Sequence, residues 1–456
     1  MRSGPPASLL SPSVEFRNRL IGETVRAAAR ESEFYGELYR GLDLTVVETV
    51  EDLRNLPTVD KAKMVAAGKA ALCSDGAGPI VAIQNTSGTT GVPFWLYRSQ
   101  NEQAFIREFF EEWNSRDVAV EGLTPLVLQL VSDRHGVPTG VPSDVFPFAC
   151  RLMDRPSVEK AIAILSTEFD IPGAERRVSA ITGSHDDLVV LTTYMLEKGI
   201  SPASAFQVRR LSPIGRYMTR RFHAFLASTW NCRITQRYSL AEIFGGASWI
   251  DDLKAYVFDP YLVPEVLSFS DSAPLTAGVG RLHLTGLRPF SVMQPLIRYR
   301  PGDLFEVATG EDGVTRHRFL GREAHALFNP RAKHQMLANG LAALEALDPH
   351  PEFNRDAYAI DIGLDDPTCA GWPRSRGRIE MSEQGFICAI QVETRCDMRL
   401  FPERAERLRH EVIVAFLDAA PALEKLVAEG QARIEVTFSG PGTLAPLERT
   451  SEYWRW

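Results

Sequence analysis

The sequence predicts an α/β protein with a large N-terminal part built from several subdomains and a small α+β C-terminal domain. Three observations carry that prediction. Strand-like apolar runs alternate with helical segments between residues 80 and 236, which is the pattern of a layered α/β body. From Val257 to Leu304 the texture changes to short strand candidates broken by Gly and Pro. After Gly321 a strand, a helix and a second strand follow one another in the last part of the chain. A chain of 456 residues also exceeds the roughly 250 to 300 residues at which a single core stops growing. The boundary is placed at 322/323, giving parts of 1–322 and 323–456.

Taken in order, Ser13 to Arg30 reads as a helix, with Val14, Leu20, Ile21 and Val25 at helical spacing after a Ser13 cap. Ile80 to Ile83 is a strand candidate. Pro125 to Val131, Ser179 to Ile181 and Arg233 to Gln236 are others, and the helices between them are Gln103 to Trp113, Val158 to Phe169 and Asp186 to Lys198. In the β-rich stretch, Gly280 to Thr285 and Leu304 to Ala308 are strands. Gly310-Glu311-Asp312-Gly313 is the turn of a hairpin joining Phe305-Glu306-Val307 to Arg316 to Leu320. The C-terminal domain reads as strand Phe386 to Glu393, helix Glu403 to Leu417 and strand Arg433 to Phe438. Trp454 and Trp456 are expected to serve packing or oligomer contacts.

Composition bounds the class. With 45% hydrophobic and 24% charged residues the chain can bury a sizeable core. Its net charge of −8 and pI of about 5.7 give no general affinity for nucleic acid or for anionic membrane, so the expected partner is a small molecule. The six cysteines are scattered with no C-x-x-C pair, which argues against a disulfide framework and a zinc ribbon and for reduced thiols. The first residues, Met1 to Pro6, lack an apolar run, and no segment approaches the ~18 uninterrupted apolar residues of a membrane span. A cytoplasmic location is the expectation.

The most informative stretch is Asn85-Thr86-Ser87-Gly88-Thr89-Thr90-Gly91-Val92-Pro93, directly after the strand candidate. Glycines let backbone N–H groups approach an anion, and Ser and Thr hydroxyls add donors to phosphate oxygens. A plain surface turn would account for any one of these residues, but not for six in this order. No Gly-Lys-Ser/Thr follows, so the loop is not a Walker A sequence. Further along, Glu242 in Tyr238-Ser239-Leu240-Ala241-Glu242 is an acid placed to hold a magnesium ion after a turn. Asp303, beyond the Pro301-Gly302 turn, can accept ribose hydroxyls, as carboxylates commonly do. Arg322 at the proposed boundary can reach ribose or phosphate from the hinge. The ordinary reading of Arg298, Arg300 and Arg322 is surface or ion-paired arginine.

In this order these residues resemble the adenylate-forming superfamily, and specifically its phenylacetate–CoA ligase-like branch. The resemblance extends to Glu33-Phe34-Tyr35 with Leu38-Tyr39, and to Val50-Glu51-Asp52-Leu53 through Leu56-Pro57-Thr58-Val59-Asp60-Lys61, which looks like that branch's Leu-Pro-x-x-x-Lys segment. It implies a large N-terminal adenylate-forming domain and a small mobile C-terminal one. The implied activity is ATP- and Mg²⁺-dependent, AMP-forming activation of a small, aromatic carboxylic acid, with transfer of the acyl group to CoA or another acceptor. Carried over by position, Thr86, Ser87, Gly88, Thr89, Thr90 and Gly91 hold the phosphates, with Thr89, Thr90 and Glu242 as catalytic groups. Tyr238 lies against the nucleotide, Glu242 binds magnesium, Asp303 the ribose, and Arg322 the nucleotide at the hinge. His135 and Gly245 fall where the acid would lie. Neither nucleic acid nor membrane is implied as a partner; a homodimer is compatible with the branch.

The sequence also departs from that pattern. Ala241 stands where a Ser or Thr usually precedes the magnesium glutamate, removing a phosphate hydrogen bond worth ~1 kcal/mol. Glu323-Ala324-His325 follows Arg322 where Asp is usual, and Phe94 stands where a lysine commonly ends the loop. The segment Gly245 to Pro264 carries neither Cys nor His, so no structural zinc is expected there. The last lysine is Lys425 rather than one near the C-terminus, and Arg449 is the nearest cation in the matching stretch. Arg is no simple substitute for a point-like ammonium. An amide- or ester-forming ligase, or a protein that only binds nucleotide or acid, is the alternative these departures keep open.

Overall fold

The computed structural model describes residues 14–85, 94–105, 123–131, 146–215, 217–243, 245–356, 362–366, 368–383, 385–444 and 456. Two sheets organise the N-terminal part. A five-stranded, wholly parallel sheet runs Phe146–Cys150, Thr124–Leu130, Ala174–Ser184, Arg210–Ile214, Arg233–Ile234. Helices Arg155–Ser166, His185–Glu197 and Arg220–Trp230 form the crossovers that parallel strands require. Each of these helices starts on a side-chain cap, from Asp154, Ser184 and Thr219. The helix His185–Glu197 buries ten of its residues, because it is covered both by the sheet and by the C-terminal part.

The second sheet has nine strands and is mostly antiparallel. Its order is Val59–Asp60, Tyr299–Arg300, Ala277–Gly286, Asp303–Thr309, Thr315–Arg322, Ala255–Phe258, Gly246–Ile250 and Arg237–Ser239, with Leu262–Leu267 paired to Ala277–Gly286. The hairpin turn expected at Gly310 to Gly313 joins Asp303–Thr309 to Thr315–Arg322, and Gly313 has the positive φ of 72° that such a turn calls for. The opening helix, Val14–Glu31, packs Ile21, Val25 and Ala28 onto the core beneath this sheet, one turn apart as read from their spacing.

Residues Ile80–Asn85 form the expected strand, paired antiparallel with a strand, Trp95–Ser99, that the sequence reading did not name. The loop Thr86 to Gly91 between them lies outside the described residues. So do His135, most of the helix expected over Gln103 to Trp113, Arg449 and Trp454.

After the strand Thr315–Arg322 the chain forms a hairpin, Leu327–Asn329 with Ala332–Ala338, and then a three-stranded sheet Ser375–Met381, Phe386–Glu393, Ala432–Ser439. The last two strands are parallel, joined by helices Pro402–Asp418 and Pro421–Ala428 as the strand–helix–strand pattern predicts. Trp456 packs on Phe416 at 5.7 Å between ring centroids. One apolar cluster is continuous from Leu188, Leu191 and Phe222 beside the parallel sheet to Leu344, Phe353 and Trp372 of the C-terminal part. At the same junction Asp348, fully buried, accepts from Thr219 Oγ1 at 2.7 Å, Arg221 Nε at 3.0 Å and Arg355 Nη1 at 2.6 Å.

Candidate functional site

The strand Arg237–Ser239 is an edge of the nine-stranded sheet, and its register against Gly246–Ile250 turns Tyr238 toward the aromatic cluster of Phe258, Phe305 and Phe319. From there its hydroxyl donates a 2.6 Å hydrogen bond to Asp303 Oδ2. Asp303 begins the strand Asp303–Thr309 of the same sheet and faces Arg322 across the register pair Asp303↔Arg322, with Arg322 Nε 3.2 Å from Oδ1. Arg322 also donates through Nη1 to Pro301 O at 2.7 Å, closing the Pro301-Gly302 turn onto this arginine. Three residues expected to touch a nucleotide are thus brought together, Asp303 and Arg322 by strand register and Tyr238 by a side-chain hydrogen bond reaching in from the edge strand past Phe305.

Burial raises the Asp303 carboxyl pKa, against the pull of Arg322 and the Tyr238 hydrogen bond. Burial likewise lifts Tyr238 well above the ordinary phenol value, with Asp303 adding to it, so the phenol remains a donor. Both carboxylate oxygens are engaged and Asp303 is only 3% exposed. A further donor can be accepted there when Tyr238 or the 40%-exposed Arg322 side chain swings aside or shares the acceptor.

Glu242 joins from the turn after Arg237–Ser239. Tyr299 donates to its Oε1 at 3.3 Å, and Arg98 Nη2 donates to its backbone carbonyl at 3.0 Å. Arg98 is buried on the strand after the Thr86 to Gly91 loop, and burial pushes its pKa down to about 10 despite Glu102 and Glu242 beside it. Glu102, also fully buried, accepts from the backbone N–H of Ser99, Val292 and Met293 at 2.7, 2.6 and 2.9 Å. That ties the start of the segment after the loop to the chain leading into Tyr299.

Lys61 completes the cluster. Partial burial lowers its ammonium pKa, Glu242 raises it and Arg322 lowers it further, so its charge is felt together with theirs. Its position is set by Arg298, whose guanidinium is buried against Glu265 at 3.0 Å and donates to the carbonyl of Leu56. Arg298 O in turn accepts from Val59 N at 3.0 Å, and Val59–Asp60 pairs in parallel with Tyr299–Arg300. The ordinary reading of Arg298 as an ion-paired arginine is the correct one. Sequence reasoning quoted Lys61 within its segment but gave it no role, and missed Arg98 and Tyr299; the alternation Arg298-Tyr299-Arg300, with the middle side chain on the opposite face, was the available signal for Tyr299.

Gly245 has φ +90°, and a Cβ there would stand 2.7 Å from Phe290 Cε1 and 2.8 Å from Asp259 Oδ2. Asp259 uses that proximity to accept from Gly246 N at 2.8 Å and to pair with Arg237. Packing therefore accounts for this glycine. After Arg322, Glu323 is held by Arg281 at 2.8 Å and by Arg300, while its N–H donates to Gly302 O at 2.9 Å. Lys425 is exposed on the helix Pro421–Ala428, with a long ion pair to Glu429 at 3.9 Å.

The donor set suits a nucleotide: a carboxylate and a phenol for hydroxyls, two cations for phosphate, and one acid for a metal. Among the described residues no group of three or more His, Cys, Asp or Glu converges as a ready metal cage. A Mg²⁺ ion on Glu242 would complete its shell with water and phosphate oxygens, as this ion commonly does. No described helix is long and apolar enough to cross a membrane.

No protein-family profile matches the chain, and no curated protein matches it in sequence. Solved structures do. 2-Hydroxyisobutyryl-CoA ligase in the postadenylation state, bound to R3-HIB-AMP, aligns over 99% of this chain and 94% of its own, at 15% identity and a TM-score of 0.68. The GH3.15 acyl acid amido synthetase in complex with 2,4-DB aligns over 95% and 88%, at 11% identity and a TM-score of 0.58. ATP-bound MatB from Rhodopseudomonas palustris aligns over 83% and 68%, at 15% identity and a TM-score of 0.52. Spanning nearly the whole length of a CoA ligase and of an amido synthetase, this chain has the fold of the adenylate-forming enzymes.

Proposed function

We propose that the protein activates a small carboxylic acid with ATP and passes the acyl group to CoA or another acceptor. The observation that carries this reading is the joining of Tyr238, Asp303 and Arg322 by hydrogen bonds and an ion pair, with Glu242 and Lys61 alongside. These are the positions at which the resemblance expects a nucleotide. In the first step a carboxylate oxygen attacks the α-phosphorus, the bond to the β-phosphate oxygen breaks, and pyrophosphate leaves. In the second, a thiol or other nucleophile attacks the acyl carbonyl and AMP departs with the former carboxylate oxygen.

In this assignment Asp303 and Tyr238 orient the ribose, and Arg322 holds the nucleotide at the hinge. Lys61 is assigned the role of the lysine that the C-terminal stretch, with Arg449 as its nearest cation, does not carry: coupled to Glu242, its ammonium would offset charge developing on phosphorus. Mg²⁺ on Glu242 would neutralise charge on the phosphate oxygens. Thr86 to Gly91, with Thr89 and Thr90 as the catalytic hydroxyls, are assigned to the departing pyrophosphate. His135 and Gly245 are assigned to the acid, and an aromatic acid of the phenylacetate type is the first class to try.

A specialised amide- or ester-forming ligase is the second reading, favoured by the hinge. Rotation about residues 322 and 323 has to break the pairs of Glu323 with Arg281 and Arg300, so an acceptor that needs little rotation fits this chain better than one that needs a large one. The test is purified protein with ATP, Mg²⁺ and a panel of aryl and short-chain acids, followed for pyrophosphate and AMP, then supplied with CoA, amines and alcohols. Acid-dependent pyrophosphate release supports activation, and the productive acceptor decides between the two readings. ATP binding without turnover on any acid would sink both and leave a binding protein.

A further inference from the structure

A cavity of about 190 Å³ lies where the helices His185–Glu197 and Arg220–Trp230 meet the C-terminal part, and none of Lys61, Tyr238, Glu242, Asp303 or Arg322 lines it. Its walls are apolar, formed by Val189, Phe222, Phe225, Pro349 and Pro351. Its polar lining is mainly three arginines, Arg221, Arg355 and Arg395, with one carboxylate, Asp366. Arg221 and Arg355 share Asp348, and Arg395 pairs with Asp366 at 2.9 Å. Three guanidiniums thus pair with two carboxylates, and the Glu197 carboxylate acts on Cys369 from beside the lining. The three sit close enough that Arg221 and Arg395 both depress the pKa of Arg355, which is 4% exposed. Arg221 spends Nε and Nη2 on Asp348, and Arg395 spends Nη2 on Asp366 and Thr368, so Nη1 of each has no partner among the described residues.

We infer that this cavity binds a small organic monoanion, a ring-sized apolar body bearing one carboxylate, at a site separate from the nucleotide cluster. The unspent guanidinium donors of Arg221 and Arg395 suit a carboxylate. A 150 Å³ apolar cavity is known to admit benzene, so this volume accommodates a ring with its carboxylate at the arginines. Its lining comes from both parts of the chain, and an occupant touching both stabilises their junction by mass action. This goes beyond the acid-activation reading and stands whether or not that reading does.

Cys369, half-buried in the cavity lining, reports on occupancy away from the nucleotide cluster. Burial pushes its thiol up to about 11, so iodoacetamide labelling of the full chain is run at pH 9 and read by peptide mass spectrometry. The probe is 4-fluorobenzoate. Saturating probe is expected to slow Cys369 alkylation at least threefold, with no protection in Arg395→Ser and at least a threefold lower half-protecting concentration in Asp366→Asn, where Arg395 is released. Labelling unaffected by the probe in the unsubstituted protein overturns the inference, as does unchanged half-protection in Arg395→Ser. Equal protection by benzyl alcohol removes the charge requirement and overturns it too; equal protection by inorganic phosphate does the same for the ring.

Discussion

The Tyr238 hydroxyl and Asp303 Oδ2 are joined by a 2.6 Å hydrogen bond across 65 residues of sequence, so the orientation of the buried carboxylate depends on a phenol from another strand. Tyr238→Phe removes a hydrogen bond to a charged group and is expected to cost about 1.5–3 kcal/mol of folding stability in urea titrations. Asp303→Ala removes the proposed ribose acceptor itself, and its ATP-dependent pyrophosphate release is expected to fall at least ~100-fold, in the range seen for lost preorganised groups. A Tyr238→Phe protein as stable as the parent would show that the bond does not form in solution; an active Asp303→Ala protein would remove Asp303 from the site.

Lys61 and Glu242 form the charged edge of the cluster. Lys61→Ala is expected to lower the single-turnover rate of pyrophosphate release about 100-fold while leaving ATP binding within a few-fold, because a cation aimed at developing charge acts on the transition state. Lys61→Arg is expected to restore little, since a planar fork does not reproduce an ammonium beside Arg322. Loss of ATP affinity in step with the rate would make Lys61 a ground-state contact instead.

Asp348 is the acid at the junction of the two parts. Burial pushes its carboxyl pKa up, but Arg355 and Arg221 more than offset that and leave it below the ordinary value. Asp348→Ala leaves Arg355 buried and unpaired, and a destabilisation of about 3–5 kcal/mol is expected by chemical denaturation. Replacing both partners with apolar residues, Asp348→Leu with Arg355→Met, is expected to recover a large share of that loss. A single variant within about 1 kcal/mol of the parent would mean that the junction is already open in solution.

His317 and His283 should make stability fall on mild acidification. Burial, with Arg17 near the first and with Arg298, Arg300 and Arg281 around the second, pushes each pKa down to about 4. In the unfolded chain each returns to about 6.5, so the unfolded state binds more protons between these values. Their contribution is fully present above pH 6.5 and is lost as pH falls toward 4. From pH 6.5 to pH 5 each is expected to remove roughly 2 kcal/mol. Urea midpoints measured across that range, for the parent and for His317→Phe, test this; an unaltered pH slope in the variant would count against a neutral buried His317.

Much of the fold could be read locally. The hairpin around Gly310 to Gly313 and the strand Phe386–Glu393 follow from alternation and turn chemistry, which nearby residues determine. Tyr238, Glu242, Asp303 and Arg322 could be picked out because their order is a motif, although why they meet could not: register pairs Asp303 with Arg322, and Tyr238 reaches them from the far edge of the sheet. Lys61 was not, because its place depends on Arg298 gripping the carbonyl of Leu56 more than 200 residues away, a non-local contact without a local pattern. The continuous cluster that links Leu191 to Trp372 was hidden for the same reason: a helix buried on both sides reads as apolar without naming either neighbour.

That shared cluster has a consequence for building chimeras from this scaffold. The C-terminal segment is not a cassette that can be exchanged at residue 322 alone, because Phe222, Leu188 and Leu191 would meet a foreign surface while Thr219 and Arg221 lost their acceptor, Asp348. A graft that respects the molecule moves the helices His185–Glu197 and Arg220–Trp230 together with everything after Arg322, so that the module boundary runs through the parallel-sheet layer rather than along the chain.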